Sequence, residues 1–331
     1  MKHFNEKGEL CALITNIQKY TIHDGPGIRT EFFFKGCPLR CPWCSNPETI
    51  LPRRQLGSYP AKCIGIERCG LCLKACPEQE SPIRFTAEGE LIPIQMTEGC
   101  FGCYKCAEAC PGGGIIIWGK YYTLEQLLEI AEEDRSFYDR TGGGVTLSGG
   151  DVTMQWEFVS EFLRECHARH LNICVETEAC CAWEHLAAVI EFADLVIFDI
   201  KHIDDAVHKS LFGVGNSLIL ENIEKTAKLG RRIVIRTPVV IGKNSDDDNL
   251  RGIAAFVRDK LGSSLVQYQL LPYRKMGVEK YDSLGMDYPL GNDYKPPERE
   301  DWERNLLRIR DMLEDEFHIP VAAGTSGKLP L

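Results

Sequence analysis

The chain has 331 residues, with 48 acidic side chains against 38 Lys and Arg, and a formal net charge of -10. That length accommodates one large core plus a small second module, and the acidic balance argues against nucleic acid or an anionic membrane as a partner, since both want a basic face. No apolar run approaches the roughly 18 residues of a membrane span, and the start, Met1 to Lys7, lacks the apolar segment of a signal peptide, so a cytoplasmic protein is expected.

Taken in order, Ala12 to Ile17 reads as a short strand. Next comes Ile22-His23-Asp24-Gly25-Pro26-Gly27-Ile28-Arg29-Thr30. Its D-G-P-G centre predicts a turn, because Gly supplies unusual dihedrals and Pro fixes φ. Thr30 to Phe34 then reads as a buried strand that delivers the stretch Gly36 to Cys44 at its C-terminal end, where α/β folds put their chemistry. There Cys37, Cys41 and Cys44 are spaced C-x3-C-x2-C, tight enough to aim three thiolates at one point. Thiolates suit iron–sulfur clusters and zinc. A structural zinc wants a fourth Cys or His, which this stretch does not supply. Three ligands to a four-iron cubane leave one iron open to a small molecule. The loop alone leaves both metals open.

From about residue 52 to 118 the texture changes: eight of the sixteen cysteines fall here, among many Gly and Pro. Without an export signal, cysteines clustered in this way are metal ligands more often than disulfides. Cys63, Cys69, Cys72 and Cys76 form one set, and Cys100, Cys103, Cys106 and Cys110 a second, each closed by Cys-Pro. This is an internal repeat of a metal-binding unit. The second set, C-x2-C-x2-C-x3-C-P, has the spacing of a bacterial ferredoxin and not of a zinc ribbon; the first differs by the five residues between Cys63 and Cys69. In two-cluster ferredoxins the fourth Cys of each run ligates the other cluster. One 4Fe–4S cluster is therefore expected on Cys63, Cys69, Cys72 and Cys110, and another on Cys100, Cys103, Cys106 and Cys76. Such clusters move single electrons, so something in the rest of the chain must consume them.

After Trp118 an α/β rhythm resumes. Thr123 caps an amphipathic helix with Leu124, Leu127, Leu128 and Ala131 on one face. Strands are predicted at Val145 to Leu147, Asn172 to Glu176, Leu195 to Ile200, Arg231 to Arg236 and Leu265 to Leu271. Helices are predicted from Trp156 to His170, Trp183 to Phe192, Leu218 to Leu229 and Glu298 to Phe317. The run Asp246-Asp247-Asp248 is read as the acidic first turn of a further helix, not as a metal site. Six strands alternating with helices argue a parallel α/β sheet or partial barrel.

The C-x3-C-x2-C loop, with Trp43 before its last Cys, resembles the radical S-adenosylmethionine superfamily. A closer resemblance is to the activating enzymes of glycyl-radical enzymes. It rests on the Ile22 to Thr30 stretch, on Gly36 to Cys41, and on Asn46-Pro47-Glu48. It continues through Val145 to Gly150, Asp199-Ile200-Lys201, Arg236 to Val239, and Leu270 to Tyr273 followed by Gly277, Lys280-Tyr281 and Gly285. The match is collinear over nearly the whole chain, and the double-cluster insert resembles the family's longer branch. The resemblance implies a partial (β/α)6 barrel carrying an inserted ferredoxin-like domain, divided as 1–51, 52–118 and 119–331. It implies three 4Fe–4S clusters, one of them on Cys37, Cys41 and Cys44 with an open iron that binds S-adenosylmethionine. The implied reaction is reductive cleavage to methionine and a 5′-deoxyadenosyl radical, which takes the α-hydrogen of a glycine in a partner glycyl-radical enzyme. A flavodoxin or ferredoxin is the expected reductant, and the auxiliary clusters relay or buffer electrons.

Site residues carry over one by one. Trp43 and Ser45 flank Cys44 at the cluster. Gly149 and Gly150, after Ser148, stand where the family binds the amino end of the ligand; Asp151 stands where it usually has Glu. Glu176-Thr177, Asp199, Ile200 and Lys201 match strand ends that hold the ligand's charged groups, and Lys201 is expected at the catalytic centre. Arg236 is expected on the ligand's carboxylate. By themselves Asp199 and Lys201 read as a surface ion pair and Arg236 as a snorkelling arginine. Arg274 stands where the family commonly has His near the adenine, and has no acceptor. Asp24 is expected to meet the partner's glycine loop, and His23 lies beside it. Cys166 and Cys174 read as small buried hydrophobes; Cys180-Cys181 receives no role. The competing reading is another radical enzyme of this superfamily, with auxiliary clusters, acting on a peptide or small molecule.

Overall fold

The computed structural model describes residues 1–5, 7–77, 81–94, 100 and 102–324. Its strands are β1 (His3–Phe4), β2 (Leu10–Thr21), β3 (Arg29–Phe34), β4 (Gln55–Ser58), β5 (Ile115–Trp118) and β6 (Lys120–Thr123), followed by β7 (Gly144–Gly149), β8 (Asn172–Thr177), β9 (Leu195–Asp199), β10 (Ile233–Val239), β11 (Leu265–Pro272) and β12 (Val321–Ala323). The main sheet runs β1-β2-β3-β7-β8-β9-β10-β11-β12, with β6 also paired to β2. From β3 to β12 every neighbouring pair is parallel. The order never reverses, so right-handed crossovers stack the helices on one face. The C-termini of the parallel strands, β3 and β7 to β12, then share one edge.

Period-two alternation sorts the side chains between the two faces. Ile173, Val175, Val196, Phe198, Ile233 and Ile235 point into the large core beneath the helices. Cys174, Leu195, Ile197 and Val234 form a smaller apolar cluster on the opposite, inner face. Continuing the inner parity toward the C-terminal edge gives Glu176, Asp199 and Arg236. The apolar floor therefore gives way to charge at the edge where the strands end.

Local signals place the helices. Thr123 and Gln126 form a reciprocal capping box on the helix Leu124–Glu133. Asp246 accepts from the Asn249 N–H and caps Asp247–Leu261, so the acidic run is a helix start. Two short helices, Arg135–Thr141 and Asp205–Phe212, and the added strand β12 were not legible, because each is too brief to develop a period. β2 is longer than the expected strand and antiparallel to β3.

Strands β4 and β5 pair antiparallel, Gln55 with Trp118 and Ser58 with Ile115, and make a two-stranded stalk. The cysteine-rich segment lies beyond the stalk and has its own small core of Leu56, Ile83, Leu91, Ile94, Tyr104 and Ile115, with Cys72 and Cys106. Its repeat is visible in the backbone: short helices Leu71–Ala75 and Lys105–Glu108 each follow a left-handed residue, Gly70 at φ 63° and Tyr104 at φ 63°. Among the described residues no helix is long and apolar enough to cross a membrane.

Candidate active site

The strand C-termini open into one cavity. Cys37, Cys41, Trp43, Cys44 and Ser45 line it from the loop after β3, and Gly149 and Gly150 from the end of β7. Glu176, Asp199, Lys201, Arg236 and Arg274 line it from the following strand ends, and His23 and Asp24 from the D-G-P-G turn. Thirteen of the fifteen residues expected at the cluster, the ligand and the partner line this cavity, while Asp151 and Ile200 do not.

The cysteine loop is held from several sides. Gly36 and Cys37 donate to the carbonyls of Thr49 and Ile50, at 2.6 and 3.0 Å, and Arg40 N donates to Phe212 O at 3.0 Å. Trp43 meets Phe212 edge-on at 5.2 Å. The Asn46 N–H points at Cys44 Sγ at 3.4 Å. Burial pushes all three thiols up, Cys44 to about 11 and Cys37 and Cys41 further, with Lys201 opposing the effect at Cys41. A metal must therefore displace protons here to gain thiolate ligands.

The glycine pair also has a packing job. A Cβ on Gly150 would lie 2.3 Å from Gly36 O and 2.9 Å from Thr49 O. Gly150 N donates to Phe34 O at 2.9 Å and Asp151 N to Gly36 O at 2.7 Å. The glycine lets the end of β7 close on the root of the cysteine loop. Asp151 is fully buried, and its Oδ1 accepts from Thr153 N, Thr153 Oγ1 and Thr177 Oγ1 at 2.8, 2.6 and 2.9 Å. It caps the turn Val152–Gln155 and ties β7 to β8, while its Oδ2 is a buried acceptor with no hydrogen-bond partner among the described residues. Ile200 follows the outer parity into the helix-side core. Its N–H donates to Arg236 O at 2.9 Å.

The charged residues are buried, which excludes the surface readings of Lys201 and Arg236. Lys201 is 4% exposed and donates to Asp199 Oδ2 at 2.5 Å, with Glu178 Oε1 at 3.5 Å. Burial works against its charge, but Asp199, Cys41 and Glu178 outweigh it and hold the ammonium well above its ordinary range. Arg236 donates from Nη1 to Asp24 Oδ1 at 2.9 Å and Glu176 Oε1 at 2.7 Å, from Nε to Gln269 Oε1 at 2.9 Å, and from Nη2 to His23 O at 2.7 Å. Of a guanidinium's five N–H groups this leaves one for a ligand. Arg236 is chiefly the organiser of the acids.

Two members of the site were missed. Glu31, on β3, shares the inner face with Arg29 and Phe33, and its carboxylate meets those of Asp24 and Glu176 within 4.8 Å. Burial, then Asp24 and Glu176, push it up to about 10. Three carboxylates face one guanidinium, and burial with their mutual repulsion favours a proton held among them. Glu178 continues the parity of Glu176 past the strand end; burial raises it well above the carboxylate range despite Lys201. The signal for both was alternation carried through an acidic residue. Glu178 Oε2 and Asp199 Oδ1 are buried acceptors with no hydrogen-bond partner among the described residues. Such acceptors fit a ligand that brings an ammonium, a sulfonium charge and ribose hydroxyls.

The insert's thiols fall into two groups. Cys63, Cys69, Cys72 and Cys110 line one small hollow with Phe85, Leu91 and Ile115. The Cys106 thiol feels Cys76, Cys100 and Cys103, and burial pushes it up to about 11. Each group contains the fourth cysteine of the other run.

The family model described as Radical SAM superfamily matches residues 94–252. The (2S)-3-sulfopropanediol dehydratase activating enzyme of Klebsiella oxytoca is 42% identical over 85% of this chain and 88% of its own length. The isethionate sulfite-lyase activating enzyme of Oleidesulfovibrio alaskensis is 39% identical over 88% and 92%. The indoleacetate decarboxylase activating enzyme of Tractidigestivibacter scatoligenes is 37% identical over 94% and 96%.

Proposed function

The chain belongs to the activating enzymes of glycyl-radical enzymes, in the radical S-adenosylmethionine superfamily, and from that premise we propose how its residues divide the work. The activity is installation of a glycyl radical on a partner enzyme, an oxidoreductase reaction. When bound, the site cluster supplies the electron that splits S-adenosylmethionine, and the 5′-deoxyadenosyl radical so released takes the α-hydrogen of one glycine.

Cys37, Cys41 and Cys44 would hold that cluster, and a set of three thiolates would leave it an open position for S-adenosylmethionine. Asp199, Glu178 and Lys201 form a buried set beside Cys41 that takes the ligand's cationic and hydroxyl groups. Arg236 fixes Asp24 and Glu176 and offers its remaining N–H to the ligand's carboxylate. Trp43 and the Tyr273–Arg274 segment bound the space from the apolar side, where the adenine goes. The observation that carries this reading is the convergence of three buried thiols with unpartnered acid oxygens in one cavity at the strand C-termini.

The remainder of the chain divides into a partial (β/α)6 barrel, 1–51 and 119–331, and a ferredoxin-like insert, 52–118. The insert carries two 4Fe–4S clusters on the crossed cysteine sets and receives electrons from a flavodoxin or ferredoxin. The partner's glycine loop enters past His23 and Asp24. The relatives serve a dehydratase, a sulfite-lyase and a decarboxylase, and this chain's partner is an enzyme of that general kind.

The test is anaerobic reconstitution with iron and sulfide, then dithionite and S-adenosylmethionine. The wild type forms 5′-deoxyadenosine; Cys41→Ala forms none. Cys103→Ala holds less iron but keeps the ligand-induced spectral change of the site cluster. Equal loss of that change in both variants contradicts the division into site and auxiliary clusters.

A further inference from the structure

The motif Gly277, Lys280-Tyr281, Gly285 takes no part in the site as described, yet it sits against the cysteine loop. Residues 278–283 form the short helix Val278–Ser283. Tyr281 is 1% exposed, and its hydroxyl donates to the Cys44 carbonyl at 3.1 Å. Lys280 Nζ donates to Asn46 Oδ1 at 2.8 Å and to the buried Glu48 Oε1 at 2.7 Å. A Cβ on Gly277, at φ 74°, would lie 2.2 Å from Ser45 O. The helix start is therefore pressed onto the backbone of Cys44 to Glu48.

The other end of the same helix is held by the stalk of the insert. Trp118 Nε1, on β5, donates to Ser283 Oγ at 3.2 Å. Ser58 Oγ, on β4, donates to Ser283 O at 3.4 Å and accepts from Ile94 N at 2.8 Å. Ile94 belongs to the insert's own core. A second line runs from Gln55, the first residue of β4, whose Oε1 accepts from Lys35 Nζ at 2.7 Å. Lys35 Nζ also donates to the Glu48 carbonyl, and Lys35 directly precedes Gly36 and Cys37. Tyr104 OH donates to Arg54 O at 2.7 Å, beside the stalk.

We infer that the Val278–Ser283 helix is a strut joining the insert to the third cysteine of the loop, with Tyr281 and Lys280 as positioning residues for the site cluster and Ser58, Trp118 and Ser283 as the joint to the insert. The inference rests on the cluster assignment to Cys37, Cys41 and Cys44. Its physical basis is that reduction potentials of iron–sulfur clusters follow hydrogen bonding and charge around the cysteines. The Tyr281 hydroxyl presents the positive end of its dipole to the Cys44 peptide, which favours the reduced, more negative cluster. Lys280, the preceding residue, is balanced by Glu48 and acts by fixing the backbone from Asn46 to Glu48. The insert sets the site cluster's potential through this contact, apart from any electron it delivers.

The experiment is an electron-spin-monitored redox titration of the reconstituted full chain, with and without S-adenosylmethionine, which separates the ligand-responsive signal from the others. Tyr281→Phe keeps the ring and removes the donor. It is expected to lower the reduced fraction of the responsive signal about threefold to tenfold at a fixed potential, the size of one hydrogen bond. The other signals keep their wild-type titration. The double variant Ser58→Ala, Ser283→Ala, which cuts the joint far from the cysteines, shifts the same signal in the same direction. Should it fail to fold, Trp118→Phe removes one joint bond and retains the ring. A responsive signal that titrates as wild type in Tyr281→Phe, or in the joint variant, overturns the strut. A wild type with no ligand-responsive signal overturns the cluster assignment, and the strut with it.

Discussion

Arg236 and Asp24, 212 positions apart in the chain, meet at 2.9 Å, with Nη1 donating to Oδ1. The contact pins the D-G-P-G turn, at the mouth of the cavity, to the end of β10 inside it. Removing the guanidinium leaves Asp24, Glu31 and Glu176 facing one another without a cation. Arg236→Met is therefore expected to lower unfolding stability by about 3–5 kcal/mol, measured by denaturant titration of the loaded protein under anaerobic conditions. A loss below about 1 kcal/mol contradicts the network.

Asp24→Asn tests the mouth separately. The amide retains an acceptor for Arg236 but loses the charge. Formation of 5′-deoxyadenosine without partner is expected to stay within about threefold of wild type, while glycyl radical on the partner falls at least about tenfold. Parallel loss of both products assigns Asp24 to the ligand and not to the partner.

Glu31 gives the site a pH signature. Its folded pKa is raised to about 10 from the carboxylate range. A group shifted upward contributes stability that is fully present below its unfolded pKa and is lost as pH rises through the folded one. Wild-type stability therefore declines from about pH 5 toward pH 10 on account of this group, with a limiting slope near 1.4 kcal/mol per pH unit. Lys35, lowered to about 7 by burial, contributes in the opposite direction. The quantity to follow is thus the difference between Glu31→Gln and wild type. The amide variant is expected to match wild type near pH 5 and to be the more stable at pH 9. A difference independent of pH contradicts a proton held among the three carboxylates.

Much of this site was legible because alternation survives into functional residues. Glu176, Asp199 and Arg236 lie on the inner parity of strands whose apolar neighbours define it. Carrying the same parity through β3 and past the end of β8 would have found Glu31 and Glu178. At Asp151 and Ile200 a motif places residues near a ligand without giving the direction of their side chains. Asp151 turns away to cap Val152–Gln155, and Ile200 falls on the outer parity. The parallel sheet was readable from six apolar runs. The stalk contacts were not, since Ser58 and Ser283 are 225 positions apart and serine hydroxyls carry no pattern. The cysteine repeat was the clearest signal, because ligand spacing is fixed by the metal group and not by the fold.

Gly150→Ala adds one methyl group against two backbone carbonyls, which have no rotamer to yield. Overpacking of this kind costs about 1–3 kcal/mol, and here the strain falls at the root of the cysteine loop. Iron retention after reconstitution is expected to drop by the share of the site cluster, one in three on the proposed assignment, with the iron of the insert retained. Full retention with wild-type ligand response contradicts the close packing of β7 on Gly36.

Asp151→Ala removes an acceptor shared by three donors. The expected loss is about 2–4 kcal/mol of stability, read by denaturant unfolding, with the affinity for S-adenosylmethionine changed less than threefold in the variant that remains folded at low temperature. A tenfold loss of affinity at unchanged stability would return Asp151 to the ligand.

The central claim is hydrogen transfer from a partner glycine to a radical generated in this cavity. The most direct measurement uses a glycyl-radical enzyme as partner, prepared with α-deuterated glycine. Incubated anaerobically with the reconstituted protein, reductant and S-adenosylmethionine, it is expected to yield deuterium in 5′-deoxyadenosine together with a glycyl radical signal. Formation of 5′-deoxyadenosine without deuterium, on a partner that stays free of radical, would contradict the account.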